Sequence, residues 1–163
     1  MPVEILEATY PLLIEEYSLR EDSCGAGRQR GGLGIIRQYR FLADEAILQL
    51  RADRYEHRPY GLFGGGEGAP SRNLLSAGGN FELLPSKVTR TVHRDTVIRH
   101  EQAGGGGYGD PMMRPPAAVL ADVLDGKISI SYARSGFGVV VRDGVVDEQA
   151  TARLRAEHEG APA

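Results

Sequence analysis

Through the front two-thirds of the chain the hydrophobic positions recur mostly every second residue, the spacing of strands, and a helical spacing sets in only beyond them. Residues 10–19 place Leu13, Tyr17 and Leu19 on one side of such an alternation, interrupted by Glu15, and predict a strand. Residues 33–42 and 45–52 predict two more. In the second of these Ala46, Leu48, Leu50 and Ala52 alternate with Ile47, Gln49 and Arg51, and Ala43-Asp44 between the two suggests a hairpin. Short strands are expected around Leu62-Phe63 and residues 73–75, and further ones at 81–84, 88–92 and 96–101.

The pattern changes after residue 111. Pro115-Pro116 can open a helix whose Val119, Leu120, Val123 and Leu124 share one face and which Gly126 ends. Residues 128–133 alternate like a strand, yet Ser129 can cap a short helix presenting Ile130, Ala133 and Phe137; the helix is the preferred reading. Residues 139–141, the Asp143-Gly144 turn and Val145-Val146 form a small hairpin, after which Asp147 caps a last helix through about Glu157. The ending Gly160-Ala161-Pro162-Ala163 is expected to be disordered. The fold class is therefore α+β: a β-rich part over 1–111 with glycine-rich loops, then a helix, short helix, hairpin and helix over 112–159 packed on it.

Between these elements lie the chain's most distinctive stretches. The run 22–32 mixes turn formers with Arg28 and Arg30 and reads as an extended surface connection. Gly104-Gly105-Gly106-Gly107, before Tyr108-Gly109-Asp110-Pro111, has two readings. Consecutive glycines let backbone N–H groups approach a phosphate or carboxylate, or they form a tight, close-packed turn that requires positive φ. No Lys-Ser/Thr pair follows, so it is not a nucleotide-binding P-loop. Gly64-Gly65-Gly66-Glu67-Gly68 can likewise line a cleft or serve as a mobile connection. Gly104, Gly105, Gly106, Gly107, Tyr108, Asp110, Gly64, Gly65 and Gly66 are the candidate site-lining residues.

Composition narrows the function classes. A 41% hydrophobic content over 163 residues suffices for one domain, the default reading, with two small lobes as the alternative. A net charge of −3 and a pI near 5.8 argue against a nucleic-acid or anionic-membrane binder. Met1-Pro2-Val3-Glu4 begins no signal sequence, and no apolar run approaches the roughly 20 residues of a membrane span, so a cytoplasmic protein is expected.

Cys24 is the only cysteine; Arg28 and Arg30 nearby can lower its pKa, but no base or orienting partner accompanies it. His57, His93, His100 and His158 lack metal-ligand spacing, and Glu101 beside His100 would point to the other face of a strand. No Ser stands in G-x-S-x-G, and Ser86-Lys87 lacks the S-x-x-K separation. No metal site and no catalytic set is assigned to this chain.

Read together, several ordered strings resemble the hydantoinase B/5-oxoprolinase family. They are residues 2–7 (Pro-Val-Glu-Ile-Leu-Glu), 22–28 (Asp-Ser-Cys-Gly-Ala-Gly-Arg), 30–34 (Arg-Gly-Gly-Leu-Gly) and 59–65 (Pro-Tyr-Gly-Leu-Phe-Gly-Gly). Further along come 84–87 (Leu-Pro-Ser-Lys), 104–111 (Gly-Gly-Gly-Gly-Tyr-Gly-Asp-Pro), 119–127 and the 143–147 turn. Two departures are Cys24, where the family usually carries a small residue such as glycine, and Arg94 in place of a glycine before Asp95.

The family's subunit is much longer, and the resemblance is to its C-terminal region alone. It implies that the family's metal-binding His and Asp residues lie in the N-terminal part and that a hydantoinase A-like subunit handles ATP. ATP and a divalent metal are thus expected in partner chains, with no cofactor held here alone. In such enzymes ATP activates an unreactive amide or carbonyl oxygen, which water attacks in cyclic-amide hydrolases and a carboxylating step intercepts in ketone carboxylases. The resemblance implies a cyclic-amide hydrolase subunit, with a ketone carboxylase subunit or a non-catalytic assembly module as alternatives. The expected partners are the hydantoinase A-like subunit, the N-terminal part of hydantoinase B, and a small cyclic-amide or ketone substrate, with no nucleic acid and no membrane.

Overall fold

The structure, a computed structural model, describes residues 2–159, so the expected disordered end at 160–163 lies outside the described residues. It is α+β, with strands concentrated in the first two-thirds and helices at the C-terminal end. The chain forms two compact, interleaved units, the first from residues 2–19, 35–57 and 70–103, the second from 20–34, 58–69 and 104–159.

In the first unit, helix α1 (Val3–Thr9) precedes β1 (Leu12–Leu19), β2 (Ile35–Phe41), β3 (Glu45–Arg51), β4 (Arg72–Ser76), β5 (Glu82–Leu83), β6 (Lys87–His93) and β7 (Val97–Glu101). Five of these make an antiparallel sheet in the order β1-β2-β7-β4-β5, and β3 pairs with β6 in a second, two-stranded sheet. The alternation read from 45–52 holds: Ala46, Leu48 and Leu50 turn inward while Ile47 is exposed. They pack with Val88 and Val92 of β6 against Tyr39, Phe41, Leu75 and Ile98 of the larger sheet.

The structure corrects two expectations in this unit and adds one helix. Residues 41–45 do not close a hairpin, because β2 already has β1 on one edge and β7 on the other, which leaves β3 to pair with β6. Leu13 does not share a face with Tyr17 and Leu19. A register shift between Ile14 and Glu16 inserts an extra residue, so Leu13 lies opposite Arg40 but Tyr17 lies opposite Arg37, and those two arginines, three apart on β2, face opposite ways. The bulge turns Glu15 to Arg40 and Gln38, and Glu16 to Arg99, so both carboxylates are paired rather than stacked against each other. Helix α1 was not anticipated; Glu7 accepts the Ile14 amide at 2.7 Å and ties the helix to β1.

The second unit carries a 3-10 turn (Pro111–Met113), α2 (Pro116–Leu124), α3 (Ile130–Phe137), the hairpin β8 (Val141–Arg142) and β9 (Val145–Val146), and α4 (Glu148–Glu159). The short segment after Gly126 is the helix its cap foretells. Ser129 Oγ accepts the Tyr132 amide at 3.0 Å and donates to Asp22 Oδ2 at 2.7 Å, and Gly138 closes the helix at φ +61°. Ala133 and Phe137 enter the core with Val119, Ile128, Val139 and Val141, whereas Ile130 is exposed. Asp147 caps α4 through the Ala150 amide at 2.9 Å.

On α2 the expected face holds at Val119, Leu120 and Val123, which pack into the core, but not at Leu124. Leu124 is exposed, and the buried positions are Val119 and Asp122. The carboxylate turns inward because cations meet it there, Arg114 at 2.7 Å and Arg30 at 3.0 Å.

Because Ser129 serves both as a cap and as a tie to Asp22, Ser129→Ala is expected to lower stability by about 1–2 kcal/mol. Urea unfolding of the variant measures this, and an unchanged midpoint would contradict the role.

Candidate functional site

Three glycine-rich stretches, around 23–32, 59–69 and 104–110, meet in the second unit without forming a named sheet. They bond backbone to backbone. Gly25 N–H donates to Gly105 O at 2.8 Å, Gly105 N–H to Gly32 O at 2.8 Å, Gly66 N–H to Ala26 O at 2.7 Å and Gly107 N–H to Gly66 O at 2.9 Å. Leu62 N–H donates to Gly107 O at 2.9 Å, and Gln29 and Tyr108 exchange bonds of 3.0 and 2.9 Å.

The spacing explains the composition. A Cβ on Gly104 would overlap the Ser23 carbonyl, one on Gly107 the Ala26 carbonyl, and one on Gly68 would sit 2.5 Å from the Gly104 oxygen. Glycine is needed here mainly for closeness. Within 104–107 no residue has positive φ, and in the neighbouring stretches only Phe63, Gly64 and Gly109 do.

The segment 22–32 is therefore not a surface connection, since Ser23 to Gly27 are buried. Their polar backbone can be buried because the other two stretches supply its partners. Cys24 lies in the core, and burial pushes its thiol up from its ordinary value against the opposing field of Arg30, contrary to the expected lowering. Tyr132 donates to Cys24 O at 2.6 Å, and burial pushes its hydroxyl up to about 12.

Every candidate residue belongs to this lattice or to its rim. The amides of Gly65, Gly66, Gly104, Gly105, Gly107 and Tyr108 donate to main-chain carbonyls. Gly106 lies against the Tyr60 carbonyl, and Gly64 lies beside Asp110. Asp110 accepts the Met112 amide at 2.8 Å and opens the 3-10 turn.

At the rim, Phe63 and Tyr108 place their rings 5.2 Å apart. Phe63 is 77% exposed and held at φ +51°, and Tyr60, Leu62 and Tyr108 are exposed as well. A bulky residue in left-handed backbone with its ring in solvent carries two costs, and neither serves the interior of this unit. The rim offers apolar contact and the exposed carboxylate of Asp110.

Sequence reasoning missed two polar clusters. One is the set around Asp122. The other links Tyr55, Asn73 and His100 in the first unit: Asn73 Nδ2 donates to the Tyr55 hydroxyl at 2.7 Å, and His100 Nδ1 lies 2.6 Å from Asn73 Oδ1. The β4–β7 register opposes Asn73 to His100, and no local pattern in either strand announces that pairing. Among the described residues no group of three or more His, Cys, Asp or Glu side chains is arranged to hold a metal ion. Among the same residues no helix is long and apolar enough to cross a membrane.

Comparison with known proteins agrees with this backbone framework. The family model for hydantoinase B/oxoprolinase matches residues 1–111. The chain is 38% identical to the caprolactamase subunit beta of Pseudomonas jessenii, over 96% of this chain and 28% of that protein. It superposes on the crystal structure of ATP-dependent caprolactamase from the same organism with a TM-score of 0.84, at 34% identity, covering 95% of this chain and 28% of that one. It superposes on nucleotide-free acetone carboxylase with a TM-score of 0.82, at 25% identity, covering 98% and 26%. The chain thus spans little more than a quarter of the relatives it matches. It belongs to the hydantoinase B/oxoprolinase family.

Proposed function

We propose that the chain is the C-terminal portion, or a split small subunit, of an ATP-dependent hydrolase of cyclic amides. The observation that carries this reading is the match to a caprolactamase beta subunit along 96% of the chain. The local chemistry is in keeping with it. The glycine lattice is closely packed, hydrogen-bonded backbone whose exposed rim is apolar, suited to contact with other chains rather than to bond cleavage.

In this reading ATP and a divalent metal belong to partner chains, a hydantoinase A-like subunit and the longer N-terminal part of hydantoinase B. The residues described here do not converge as metal ligands, and no chemical step is routed through them. This chain's own contribution is to hold the Phe63–Tyr108 rim against a partner.

The test is reconstitution with the neighbouring subunits. Omitting this chain is expected to abolish caprolactam-, hydantoin- or 5-oxoproline-stimulated ATP hydrolysis; turnover and assembly that survive its omission would sink the reading. The rim gives a sharper version. Phe63→Gly is expected to change the chain's own stability by less than about 1 kcal/mol, since an exposed side chain is lost and left-handed backbone is relieved. The same change should weaken co-purification with the partner roughly tenfold or more, as removal of an aromatic anchor does.

The likeness to acetone carboxylase supports a second reading, a subunit of a ketone carboxylase. Bicarbonate-dependent consumption of acetone or acetophenone by the reconstituted complex, without lactam-stimulated ATP hydrolysis, would favour it. An assembly module without any catalytic contribution predicts a stable complex whose turnover does not depend on this chain.

A further inference from the structure

The first unit has a cavity of about 390 Å3, open to solvent, on the inner side of its larger sheet. Its walls include Phe41, Leu48, Leu50 and Ile98, and its polar corner is Asn73 and His100. Asn73 is completely buried, and both ends of its amide are engaged. Its nitrogen donates to Tyr55, so its oxygen faces His100 Nδ1 and can only accept. Nδ1 therefore carries the proton. Burial, and then the nearby Arg37 guanidinium, hold the His100 pKa below its ordinary value, so the ring is neutral at pH 7.

A neutral ring protonated on Nδ1 leaves Nε2 as an acceptor, and among the described residues no side chain or amide donates to it. Of the remaining polar lining, Gln49 and Arg51 are exposed and the Tyr39 hydroxyl is engaged by Arg37. Apolar walls with one fixed acceptor are the composition of a small-molecule site, in which walls supply affinity and a single polar group supplies orientation.

We propose that this cavity binds a compact, uncharged, largely apolar molecule through one O–H or N–H group donated to His100 Nε2. The site is separate from the rim and does not depend on the assembly reading.

The experiment uses the whole chain labelled with 15N-histidine, titrated with cyclohexanol and with cyclohexanone, which match in size but differ in that only the alcohol donates. In the free chain the His100 resonances should report a proton on Nδ1. Cyclohexanol should shift Nε2 saturably, and cyclohexanone should bind roughly five- to tenfold more weakly, the worth of one neutral hydrogen bond. His100→Phe assigns the signal and should remove the shift, and Leu48→Trp, which fills the cavity while keeping the histidine, should remove it as well. A proton on Nε2 in the free chain, no saturable shift into the tens of millimolar, or equal responses to the two probes would each overturn the proposal. The probe pair decides the matter even if a variant does not fold.

Discussion

Gly104→Ala is expected to unfold the second unit under conditions where Gly79→Ala leaves the chain untouched. The two substitutions are chemically identical and differ only in surroundings. A methyl on Gly104 overlaps the Ser23 carbonyl, with the Cys24 nitrogen close behind. Those are backbone atoms, held by the bond from Ala69 N–H to Ser23 O and by the bond from Gly104 N–H to Ala69 O, so no rotamer change relieves the overlap. A loss of about 4 kcal/mol or more follows, a large share of the roughly 5–15 kcal/mol that holds a domain together. At Gly79 nothing lies within 4 Å of an added Cβ and φ is not positive, so the change stays within about 0.5 kcal/mol. Amide hydrogen exchange reads the difference directly. Gly25, Gly66 and Gly105 should lose protection in Gly104→Ala and keep it in Gly79→Ala. Equal protection in the two variants would mean that the lattice yields easily and that its glycines serve some other end.

The second large effect is expected at Asp122. Its carboxylate is nearly buried on α2, and Arg114 donates to Oδ2 at 2.7 Å while Arg30 Nε stands 3.0 Å from Oδ1 out of line for a hydrogen bond. Lys127 is 3.9 Å away. Arg114 also donates to Arg28 O, and its own carbonyl accepts from Arg155. Asp122→Ala would leave two largely buried guanidinium groups facing each other without the charge that separates them. About 3–5 kcal/mol is the usual result of breaking such a cluster from one side. Asp122→Asn keeps the volume and removes the charge, so the two variants should be similarly destabilised in urea. A mild Asp122→Asn would show that shape, not charge, fixes the position.

Much of the fold could be read from the sequence because it is written locally. Ala46, Leu48 and Leu50 alternate with exposed positions, and Ser129 offers the cap that favours a helix over the strand-like alternation of 128–133. What escaped depends on partners far along the chain. Glu15 interrupts the apolar alternation, but only the register with β2 shows that the interruption is a bulge which sends Leu13 to the other face. Asp122 reads as a solvated helical position until Arg30 and Arg114 are brought to it. His100 was weighed against its neighbour Glu101, while its actual partner, Asn73, is on another strand.

The candidate site divides in the same way. The four-glycine string is conspicuous in the sequence, but nothing beside it decides between an anion cradle and a packed turn. The structure shows a third arrangement, in which three remote backbones touch. Nothing within any one stretch encodes that contact except the repeated absence of a side chain.

The interleaving also sets an order on synthesis. The chain passes between its units at residues 19/20, 34/35, 57/58, 69/70 and 103/104, so neither is a continuous stretch. When residues 23–34 leave the ribosome, the carbonyl that Gly25 will bond belongs to Gly105, which has not yet been made. The first two glycine stretches can bond only to each other, through Gly66 N–H to Ala26 O and Ala69 N–H to Ser23 O, until most of the larger sheet has been translated. A fold whose core bonds join such distant positions has high contact order and closes slowly. The lattice therefore cannot be completed before Gly104 to Tyr108 emerge, and only then can the helices that follow pack on a finished backbone framework.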